Sequence, residues 1–136
     1  MPAVVKLFAP RRRLHRRVSL DVPVALVHQS GTVGTGFGRN MSVSGMQIYC
    51  SRVALDSWYK SDVLLRDHPT FLDLHFMLPE FKRDAKVDAR CRLVYTNDYD
   101  EDGYILGLLF DFLPESSRRH VVEFVSGFPH DDEDGF

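Results

Sequence analysis

The sequence predicts a mainly β domain: a six-stranded antiparallel sheet closed into a small barrel, followed by one α-helix. Three observations predict it. Apolar and polar residues alternate in successive segments, which is the period of a half-buried strand. Turn-forming residues separate those segments. Clear helical spacing occurs only near the C-terminal end, and strands without interleaved helices pair antiparallel, with closure removing the exposed edges.

The elements follow in order. From Val18, the residues Val18, Leu20, Val22, Val24 and Leu26 share one parity, with Ser19, Asp21 and Pro23 on the other. "HQSG" turns the chain into a glycine-rich second strand, "TVGTGFGRNM", and "GMQIYC" alternates again through Met46, Ile48 and Cys50. A fourth strand, "TFLDLHFML", places Leu72, Leu74, Phe76 and Leu78 in phase. The fifth, "KVDARCRLVYTN", does the same with Val87, Ala89, Cys91, Leu93 and Tyr95, and the sixth, "GYILGLLFDF", with Tyr104, Leu106, Leu108, Phe110 and Phe112. The closing segment "PESSRRHVVEFVSG" begins with proline and glutamate, spaces Val121, Phe124, Val125 and Phe128 as a helix does, and stops at glycine. Residues 52–69 fit neither period and are expected to form an irregular or short helical excursion.

Composition narrows the functional classes. With 136 residues, 44% hydrophobic and 26% charged, the chain suits one globular domain rather than a disordered protein. It has no run of eighteen apolar residues and no secretion signal in "MPAVVKLFAPRRR", so no membrane insertion and a cytoplasmic location are expected. Cys50 and Cys91 stand far apart outside any CxxC pattern and are expected as buried thiols, with no metal site.

Charge is unevenly placed. Residues 1–17 hold Lys6, Arg11, Arg12, Arg13, Arg16 and Arg17 and no acid, whereas the end of the chain carries Asp131, Asp132, Glu133 and Asp134. The expected organisation is a flexible basic arm over 1–17, a barrel with its helix over 18–128 and an acidic disordered tail over 129–136.

Two stretches carry recognition chemistry. The arginine cluster lies just before the first strand, and "NMSVSG", residues 40–45, lies at the turn between the second and third. In this order they resemble the PilZ family, whose members bind cyclic di-GMP through an RxxxR motif and a (D/N)xSxxG motif. Asn40, Ser42 and Gly45 match the second in full; the first reads in two registers, Arg12 with Arg16 or Arg13 with Arg17. The resemblance extends over residues 11–126 and implies that family's six-stranded split barrel and C-terminal helix. It also implies that the four arginines, Asn40, Ser42 and Gly45 form the ligand site.

The chemistry agrees with that implication. Guanidinium groups fork onto phosphate oxygens, pair with guanine O6 and N7, and stack on a purine face. Two arginines four residues apart on an extended arm lie about 13 Å apart, enough to grasp separate parts of such a ligand. The family pattern implies hydrogen bonds from Asn40 and Ser42 at the barrel surface, and a Gly45 that lets the backbone turn and the ligand approach.

Other candidate sites carry less. "DYDEDG", residues 98–103, opens like a calcium loop, but its twelfth position is Leu109 where glutamate is needed, so a hairpin turn is expected. Asp73 and His75 in "DLHF" share a strand face and read as a polar surface pair without a nucleophile. "GTGFG" lacks the helix and spacing of a dinucleotide fingerprint.

The expected function is thus a bacterial cyclic di-GMP receptor without catalysis or cofactor. Ligand binding would change its conformation and signal to a protein partner in trans. The alternatives are a nucleotide-independent adaptor in a pilus or motility assembly and a basic-arm nucleic-acid-binding module. The acidic sequence pI of about 6.3 and the lack of an extended basic footprint weigh against nucleic acid.

Overall fold

A computed structural model describes residues 16–29, 31, 33–56, 69–80 and 83–127. Six strands, β1 (Val18–His28), β2 (Val33–Met41), β3 (Gly45–Ser51), β4 (Phe71–Leu78), β5 (Ala85–Asp100) and β6 (Gly103–Phe112), precede a helix, α1 (Glu115–Gly127). They close in the order β1-β2-β3-β6-β5-β4, with every neighbouring pair antiparallel. The fold is the predicted barrel. A helical segment at 52–56 opens the excursion after β3; residues 57–68 of that excursion, Phe128 of the predicted helical spacing and the acidic tail lie outside the described residues.

The core follows the alternation. Val24, Leu26, Ile48, Leu72, Leu74, Leu78, Val87 and Leu106 are fully buried, and most of the residues that alternate with them face outward. Pro23 sits where β1 pairs with β2 but just before its pairing with β4 begins at Val24, so its missing N–H interrupts no β4 ladder bond. Cys50 and Cys91 are buried free thiols. Burial pushes them up to about 11 and about 12, which keeps both protonated and unreactive at neutral pH.

Two residues depart from the expected phase, and β-bulges are the reason. The β5–β6 register shifts between Leu93 and Tyr95, so Tyr95 pairs with Gly107 on the outer face instead of continuing the core stripe. A second shift, between Arg90 and Cys91 opposite Phe112 and Phe110, leaves Phe112 62% exposed while Leu113 turns into the core.

Helix α1 seats Val121 and Val125 against the core. Buried Ser117 accepts the Asp88 N–H through Oγ at 2.9 Å, which fixes the helix to β5. Its last turn has no basic residue of its own; instead the Arg16 guanidinium donates to the Val125 carbonyl at 2.6 Å, placing a cation at the negative end of the helix. No helix among the described residues is long and apolar enough to cross a membrane.

Candidate ligand site

The β2–β3 turn is built by the second sequence motif. Ser42 donates its N–H to the Gly45 carbonyl at 2.9 Å, and its hydroxyl accepts the Ser44 N–H at 3.1 Å, so the side chain that shapes the turn is itself buried. The Ser42 and Ser44 hydroxyls also share a hydrogen bond of 3.1 Å. Gly45 has a further constraint. Its φ is not positive, yet a Cβ there would collide with the Leu108 carbonyl oxygen of β6. The glycine is thus required by close approach of the neighbouring strand, where the sequence reading had invoked a turn and an approaching ligand.

From this turn a chain of polar side chains crosses the outer face. Arg17 donates from Nη1 to Asn40 Oδ1 at 3.2 Å, Asn40 Nδ2 donates to Gln47 Oε1 at 2.8 Å, and Gln47 Nε2 donates to the Tyr95 hydroxyl. The order of donors is set at one end. A guanidinium only donates, so Asn40 must turn its oxygen toward Arg17 and its NH₂ toward Gln47, and Gln47 is oriented in turn. Tyr95 reaches this chain because its ring lies on Gly107, where any Cβ would overlap it. The bulge at Leu93/Tyr95 is what brings the ring to that side.

Beneath the chain lies a pocket of about 170 Å³, lined among others by Arg17, Ser42, Gly45, Gln47, Tyr95 and Leu109. Its rim is apolar on one side: Val94 is 53% exposed and Leu109 40%. A cationic donor, oriented amides, a phenol and an apolar wall make a surface suited to an anionic ligand with a planar, hydrogen-bonding base.

The structure therefore gathers Arg17, Asn40, Ser42 and Gly45 at one place. Arg16 goes elsewhere, to α1, and Arg12 and Arg13 lie outside the described residues. Gln47 and Tyr95 were missed by the sequence reading: Gln47 stands on the outer parity of β3, directly across from Asn40, and was available to register reasoning, whereas Tyr95 requires the bulge.

The remaining sequence candidates resolve as surface structure. "DYDEDG" is a hairpin tip, and Arg52 occupies it by donating to the Glu101 carbonyl at 2.9 Å, the Asp100 carbonyl at 3.0 Å and Asp98 Oδ1 at 3.1 Å. Asp73 and His75 form no dyad; each pairs across the ladder, with Arg90 at 3.2 Å and Asp88 at 2.7 Å.

Comparison with known proteins identifies the family and the fold. The chain matches the PilZ domain over residues 11–127, and it belongs to the PilZ family. No curated protein matches it. Among solved structures it is similar to the Bacillus subtilis inhibitor of motility MotI, with a TM-score of 0.64, 15% identity, and coverage of 86% of this chain and 51% of that one. It is also similar to the PilZ domain of YcgR from Escherichia coli, solved with c-di-GMP, with a TM-score of 0.62, 10% identity and coverage of 86% and 91%. The Borreliella burgdorferi PlzA protein in complex with c-di-GMP aligns with a TM-score of 0.52, 14% identity and coverage of 95% and 59%. The chain thus spans only about half the length of MotI.

Proposed function

We propose that this protein is a cytoplasmic cyclic di-GMP receptor whose ligand binds on the outer barrel surface along Arg17, Asn40, Gln47 and Tyr95. The single observation that carries this reading is the Arg17–Asn40 hydrogen bond of 3.2 Å, which joins the first motif to the second across 23 residues of chain. YcgR and PlzA, similar in fold, were solved with c-di-GMP, and the family supports the same ligand.

Of the two arginine registers, Arg13 with Arg17 is the one we propose for the ligand, because Arg16 is engaged with the end of α1. The ligand then draws the basic arm, residues 1–17, further onto the barrel from the Arg16 and Arg17 contacts that already hold its end, with 18–128 as the rigid body and 129–136 as a solvated acidic tail. The changed surface is read by a protein partner in trans; that ordering is driven by the ligand's higher affinity for the closed arrangement.

Titration calorimetry with cyclic di-GMP tests the reading, with GTP and cyclic di-AMP as controls. Saturable binding that excludes GTP is the expected result. An absence of heat at two temperatures, together with unshifted amide spectra, overturns it.

A further inference from the structure

A second groove, of about 460 Å³, adjoins the first and is lined by Asp21, Phe37, Arg39, Tyr49, Tyr99 and Asp100. The two share no lining residue but lie on either side of Asn40: Arg39 is its chain neighbour and Ser19, which also lines this groove, its partner across the β1–β2 ladder, while Arg17 and Gln47, its hydrogen-bond partners, line the first. Three register shifts shape this region, at Ser19/Val22 in β1, at Gly38/Asn40 in β2 and at Asp98/Asp100 in β5. Bulges of this kind re-aim side chains out of the regular pleat.

The side chains they present are unlike those of an ordinary sheet surface. Phe37 is 49% exposed and Tyr99 54%. Tyr49 and Tyr99 meet edge to face with centroids 5.6 Å apart, and the Arg39 guanidinium lies 4.9 Å from the Tyr99 centroid. The Tyr49 ring rests on Gly103, where a Cβ would overlap it, and its hydroxyl donates to Asp100 Oδ1 at 3.4 Å. Among the described residues, neither Arg39 nor Asp21 has an ion-pair partner, although both line the same groove.

One guanidinium, an unpaired carboxylate and exposed rings form a set with a specific complement. Guanine offers acceptors O6 and N7 on one edge, N–H donors on the other, and a π-face. Adenine lacks the N2 donor and turns its 6-position into a donor, which Arg39 cannot accept. We infer that this groove reads a guanine base of the ligand held at Arg17, with Arg39 on the acceptor edge, Asp21 on the donor edge and Phe37 and Tyr99 on the face. The assignment rests on the cyclic di-GMP reading and adds to it the source of base selectivity.

The test is titration of the full chain and of its Arg39→Met and Asp21→Asn variants with cyclic di-GMP and cyclic di-AMP. Melting curves confirm that both variants fold, as expected for substitutions on the outer surface. Each variant should lose about ten-fold in affinity for cyclic di-GMP while its affinity for cyclic di-AMP changes less than two-fold, so that selectivity collapses. Selective guanine binding by the parent that both variants retain, or an equal loss for both ligands, overturns the groove assignment and leaves the receptor reading standing. No binding of cyclic di-GMP by the parent chain removes both.

Discussion

The outer surface of the barrel carries polar groups in two different arrangements. Across β4 and β5 two polar pairs meet directly opposite in the ladder: Asp73 with Arg90 at 3.2 Å and His75 with Asp88 at 2.7 Å. Across β1, β2, β3 and β5 the groups instead form one directed chain, from Arg17 through Asn40 and Gln47 to Tyr95, that ends in a pocket. The first arrangement is closed, since its groups are partnered within the ladder and offer little to a third party. The second is open, because it runs from a guanidinium through neutral amides to a phenol at the edge of a pocket rather than from one charge to its opposite.

That contrast sets the predictions. Gly45→Ala should have the largest effect on stability, about 3 kcal/mol, because the added methyl meets a β6 carbonyl and the strand must move. Chemical denaturation measures this, and a loss under 1 kcal/mol would mean that β3 and β6 tolerate the shift. Arg17→Ala should lower cyclic di-GMP affinity by about 100-fold with little change in melting temperature, since it removes a charge-assisted contact from the open face.

Arg16→Ala should do the reverse. Its guanidinium caps the end of α1, so the variant should lose about 1 kcal/mol of stability and keep its affinity within about three-fold. If the two arginines exchange these effects, the other register, Arg12 with Arg16, is the binding pair. The smallest effect belongs to the closed face: His75→Ala should change stability by less than about 0.5 kcal/mol and leave binding unaltered, as exposed polar pairs contribute little.

Much of this organisation was legible in the chain. Period-two alternation placed five strands, because each buries one face on a single core, turn signals on either side placed the glycine-rich second strand, and the helical spacing of Val121, Phe124 and Val125 placed α1. Asn40, Ser42 and Gly45 were readable as a motif because one tight turn imposes its requirements on residues close in sequence. Arg17 was readable only as one of several arginines.

What the tertiary structure decided lies where strands depart from regular pairing or where distant segments meet. A bulge moved Tyr95 from the predicted core stripe to the outer face, and alternation cannot register a bulge, since one inserted residue inverts every side chain beyond it. The separation of Arg16 from Arg17 is of the same kind. Adjacent in sequence and identical in chemistry, they are sorted by partners 109 and 23 residues away, the Val125 carbonyl and the Asn40 amide. The sequence by itself determined the barrel, its closing helix and the two motifs, because these follow from local periodicity and local turn chemistry. The assembly of Arg17, Asn40, Gln47 and Tyr95 into one surface was decided only by closing the barrel, which brings four segments of the chain to the same side.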